Sequence, residues 1–103
     1  MNSREFLQGL TKQLANDGKL IEARWVGLRL ACGLENAPAE QVREMRMAFM
    51  AGAQHTFHSI LTVLDPGEDP TDDDLRRMDL INRELTAFYH EMLAKGLNTM
   101  GTA

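Results

Sequence analysis

His55 and His58 stand three residues apart in the run Ala53-Gln54-His55-Thr56-Phe57-His58-Ser59, a spacing that puts both imidazoles on one side of a helix. Imidazole is the side chain best suited to metal ligation and to a charge change near neutral pH, yet two of them make only half a metal site. A third ligand would have to be Asp79 or His90, and either reaches the pair only if the chain folds back on itself. The reading favoured for both histidines is structural or solvent-facing, with no metal.

A second constellation is basic. Arg76 and Arg77 follow Asp72, Asp73 and Asp74, and Arg83 lies further along the same segment. If Arg77 came to rest near His58, then His55, His58, Arg76, Arg77 and Arg83 together would form an anion site able to grip a phosphate, a nucleotide or a carboxylate. The plainer reading, which we favour, is a set of surface ion pairs along one helix.

A third group suggests an interface. Trp25 is the single tryptophan, set among Arg24, Arg29 and apolar neighbours, and a partly exposed tryptophan commonly anchors a protein contact. Phe49, Gly52 and Ala53 share one helical stripe, and Gly52 would let another backbone approach closely, within one subunit or across a subunit boundary. One cysteine, Cys32, excludes an internal disulfide and a thiolate zinc site, and reads as a small buried hydrophobe.

Catalytic patterns are missing. There is no glycine-rich phosphate loop, no nucleophile elbow and no HExxH pair, and the carboxylates gather where helix starts and turns already account for them. The expectation is a protein that is not an enzyme, carries no cofactor and works by binding.

Composition narrows the partners. The chain has 103 residues, 44% hydrophobic and 25% charged, with a formal net charge of −4. That is ordinary globular usage, and the acidic balance argues against a general nucleic-acid binder, whose affinity would rest on a basic footprint. A helix-turn-helix over Thr11 to Leu30 is a further alternative, but only Lys19, Arg24 and Arg29 would meet phosphates there. The opening Met-Asn-Ser-Arg-Glu lacks the apolar core of a signal peptide, and no apolar run is long enough to span a membrane. A cytoplasmic location follows as the expectation.

The elements that must position these residues are helices. Asn2 or Ser3 caps a first segment carrying Phe6, Leu7, Leu10 and Leu14, which stops at Asn16-Asp17-Gly18. A second runs from Lys19 to Cys32, with apolar residues wide enough around it to be buried on two sides. Pro38 then starts a helix reaching Leu64, roughly 40 Å long at about 1.5 Å per residue. Asp65-Pro66-Gly67-Glu68-Asp69-Pro70 breaks it, and Thr71 with Asp74 opens a fourth helix that closes at Lys95-Gly96. The spacing predicts an all-α fold: a small bundle of about four helices built on a long antiparallel αα-hairpin. Counting outward from Gly67 pairs Met78 with Phe57, Leu85 with Met50, and Phe88 with Met47 or Ala48. Residues 1–95 form one helical domain and 96–103 a flexible tail. The long helix exceeds what so short a chain can cover, so a homo-oligomer, dimer or higher, is expected.

The runs Asp17 to Ala23, Met45 to His55, and Asp65-Pro66-Gly67 through Leu75-Arg76-Arg77-Met78 resemble a family of small uncharacterised proteins of bacteriophages and prophages of proteobacteria. The resemblance spans most of the chain and implies a setting rather than an activity. In that setting it implies an accessory protein that binds a host protein or complex, for instance as an inhibitor of host machinery.

Overall fold

The computed structural model describes residues 2–101, which form four helices: α1 (Ser3–Asn16), α2 (Leu20–Ala31), α3 (Ala39–Val63) and α4 (Asp72–Ala94). No strand occurs among the described residues. The architecture is all-α, as the periodicity requires, and no helix among the described residues is long and apolar enough to cross a membrane.

Local chemistry explains where each helix begins and ends. Asn2 caps α1 by accepting the Glu5 backbone N–H at 2.8 Å. At the other end Gly18 takes φ 81, and the N–H groups of Gly18 and Lys19 donate to the carbonyls of Ala15 and Leu14. A side chain at that backbone angle would be strained, so glycine is what lets the chain turn out of the helix there. The same pair of bonds closes α2 at Gly33 and α4 at Gly96. Pro38 lies one residue outside α3, as its N-cap, rather than within the first turn. The segment after Gly96 makes its own turn, in which the Asn98 side chain donates to the Gly101 carbonyl and Gly101 approaches Ala31. Of the expected tail, residues 102–103 lie outside the described residues.

Packing is unequal along the chain. Leu7, Trp25 and Val26 are the centre of the core, with Leu10, Leu14, Leu28, Leu30, Val42, Met45 and Phe49 packed around them. The close approaches are α1 against α2 and α2 against α3, so α2 is indeed covered on two sides. Arg46 makes a two-point bond to Glu22, at 3.0 and 2.7 Å, which ties α3 to α2 and holds the Glu22 carboxyl below its usual range. Arg29 folds onto the carbonyls of Leu34 and Glu35 and holds the connection into α3.

That core ends at Phe49. Beyond it, α3 and α4 line an open cleft instead of packing closely together. The expected pairings do not form: Phe57 is 60% exposed, Met78 43%, Leu85 57% and Phe88 48%. Among the described residues no apolar side chain of α3 or α4 is fully buried. The radius of gyration is 16.0 Å, against about 13 Å for a compact chain of this length.

Candidate functional site

Both sides of the second half of α3 are open grooves. One, of about 560 Å³, lies between α3 and α4 and is lined by His55, Thr56, Ser59, Ile60 and Val63 from α3 and by Arg77, Leu80, Ile81, Glu84 and Leu85 from α4. The other, of about 530 Å³, lies between the start of α2 and α3, and is lined by Leu20, Ile21, Met50, Ala53, Gln54, Phe57 and His58 among others. The exposed lining of each groove is mainly apolar surface, interspersed with polar side chains. Such surfaces can exclude water from a partner.

The opening of the first groove is set at the α3–α4 turn. Thr71 caps α4 through a capping box, accepting the Asp74 N–H at 3.0 Å while Asp74 accepts the Thr71 N–H at 3.1 Å. The Asp74 carboxylate also accepts the Asp65 N–H at 2.8 Å, and the Thr71 hydroxyl donates to Asp65 at 2.6 Å. Arg77 closes the network by donating to Asp65 at 3.1 Å and Asp74 at 3.3 Å. Asp74, 4% exposed, is the one buried polar residue of the described chain, and every lone pair it turns inward finds a donor. The N–H groups of Asp65 and Thr71 hold its carboxyl below the usual range, and the Thr71 hydroxyl followed by Arg77 does the same for Asp65.

These bonds disperse the basic constellation. Arg76 pairs with Asp73 at 3.6 Å, Arg83 with Asp79 at 2.8 Å, and Arg77 with Asp65 and Asp74. His55 shares the α3–α4 groove with Arg77, but His58 faces the other groove, across the helix. The anion cluster of His55, His58, Arg76, Arg77 and Arg83 is thus not assembled, because neighbouring aspartates on α4 and in the turn capture its arginines first. Arg83 likewise occupies Asp79, one of the two candidate third metal ligands. Among the described residues no three His, Cys, Asp or Glu side chains gather closely enough to hold a metal.

The interface residues separate too. Trp25 is 3% exposed and stacks at a tilt on Phe49 with ring centroids 5.7 Å apart, so it belongs to the core and does not anchor a surface. Phe49 is half-buried by that contact. Gly52 packs against nothing in its own chain, since a Cβ there would meet no atom within 4 Å. Close helix packing inside one subunit is therefore not what Gly52 serves. Ala53 lines the groove beside α2. Burial pushes the Cys32 thiol up, away from reactivity.

Sequence reasoning missed Asp65 and Asp74 as partners. The Thr71-to-Asp74 spacing revealed the cap, but nothing local reveals that Asp74 also reaches back to the end of α3. Comparison with protein-family models, with curated proteins and with solved structures finds no match.

Proposed function

We propose that this chain is a non-enzymatic binding protein that works as a homo-oligomer. What carries the reading is the apolar surface beyond the core: Phe57, Leu61, Leu85 and Phe88 each stand about half exposed on two helices that bury no apolar side chain of their own. Long helices in water are held mostly by packing of an apolar face, so α3 and α4 need a cover from outside the chain. Sedimentation equilibrium at micromolar concentration tests this directly. A dimer or larger assembly is expected, and a monodisperse monomer overturns it.

The setting implied by the phage resemblance makes the chain an accessory factor acting in the host cytoplasm on a host protein or complex. The acidic surface and the absence of an assembled anion site among the described residues support a protein partner over a nucleotide or nucleic acid. The α1–α2 unit likewise turns Arg29 inward onto the connection into α3, leaving little of the basic stripe that a helix-turn-helix regulator would present. The test is reconstitution: a host protein that co-purifies at fixed stoichiometry must rebind from purified components.

A further inference from the structure

The chain exposes 7874 Å², where a compact monomer of this mass exposes about 5,800 Å². The excess, about 2,000 Å² per chain, falls within the range of about 1,000–2,500 Å² that one partner of an obligate homodimer buries. The longest unpacked stretch is the second half of α3 with α4, because α1, α2 and the start of α3 close around Leu7, Trp25 and Val26.

Part of the surplus apolar surface, Val63, Leu80 and Leu85 among it, lies along the α3–α4 cleft. Ile60 and Val63 form one wall and Leu80, Ile81 and Leu85 the other, and Phe88 continues the α4 wall at helical spacing. Gly52 extends the α3 wall one turn beyond Thr56 and leaves open space above it. The trough follows several turns of helix and is open along its length, a shape that fits a rod about 10 Å wide better than a small molecule.

We propose that the occupant is a second copy of this chain. Two α3–α4 pairs pack face to face across a two-fold axis, the α4 of each lying over the cleft of the other, to complete one intermolecular four-helix bundle. The polar groups of the cleft, His55 on α3 and Glu84 on α4, stand on opposite walls, so a two-fold partner can bring the Glu84 of one copy toward the His55 of the other. The inference rests on the homo-oligomer reading and adds which surface joins the copies.

The experiment places a photo-cross-linking residue, p-benzoylphenylalanine, at Leu85 or, as control, at exposed Phe6 on α1, in full-length chains mixed from isotopically light and heavy stocks. The expected result is light-to-heavy cross-links from Leu85 to α3 or α4 peptides and none from Phe6. In parallel, Leu85→Glu is expected to weaken association about a hundredfold, since a two-fold dimer carries the change twice, while Phe6→Glu leaves it unchanged. An oligomer whose cross-links run from Phe6, or whose Leu85 cross-links stay within one chain, overturns this surface while the oligomer stands. A monomer overturns both. A cross-link from Leu85 to a different protein in lysate, with no light-to-heavy product, shows a hetero-partner in the cleft and overturns the second-copy assignment.

Discussion

Asp74, in the first turn of α4, accepts the backbone N–H of Asp65 at 2.8 Å, so a single carboxylate both caps one helix and closes the end of another. The eight-residue connection between them, 64–71, holds two prolines and is anchored at both ends by this bond and by Arg77. These bonds tie the end of α3 to the start of α4 at the closed end of the cleft.

Acid should release that anchor. Both carboxyls titrate below the ordinary aspartate range in the folded chain. A depressed native pKa contributes stability that is fully present above the unfolded value, about 3.9, and is lost as pH falls through the native values. Thermal melts should therefore hold steady near neutrality and fall below about pH 4. Asp74→Asn should melt lower at pH 7 and show a shallower acid dependence, and an unchanged acid limb would remove the carboxylate from this role.

Thr71→Ala removes the hydroxyl that accepts the Asp74 N–H and donates to Asp65. Loss of an N-cap costs about 1 kcal/mol, equivalent to a fall of about 4–8 °C in a domain this size. Thr71→Ser keeps the hydroxyl and should recover most of the loss in a calorimetric scan.

Trp25 packs on Phe49 inside the closed half of the molecule. Trp25→Ala should cost about 3–5 kcal/mol, and the tryptophan emission of the native chain should be blue-shifted and insensitive to dilution. Emission that shifts red as the protein is diluted would place Trp25 at a subunit boundary after all.

Dilution should instead act on melting. An assembly that stabilises α3 and α4 makes the midpoint rise with concentration over about 1 to 100 µM, by mass action. A midpoint independent of concentration would count against a shared core.

Gly52 discriminates between the chain and its assembly. Within one chain a side chain at 52 meets open space, and leucine favours helix over glycine, so Gly52→Leu should leave monomer helicity intact. If a second copy lies along the α3 wall, overpacking costs about 1–3 kcal/mol and association weakens about tenfold, readable by analytical ultracentrifugation. Equal association in both proteins would move the interface away from that wall.

The four helices and their limits were legible in the amino-acid sequence because their causes are local. Asn2 reaches Glu5, Thr71 reaches Asp74, and Gly18 and Gly96 release the chain within a few residues of the carbonyls they leave. Apolar spacing also placed Phe49 on a helical stripe of α3, and Phe49 does meet the core. The tertiary structure alone decided which stripes stay open. It buried Trp25, left Gly52 bare, and assigned Arg77 to Asp65 rather than to His58. Periodicity specifies that a helix has an apolar face, whereas the partner for that face depends on the angle between helices. Here the ends of the two helices are tied through the Asp74 carboxylate, a contact between residues nine apart that no helical repeat encodes.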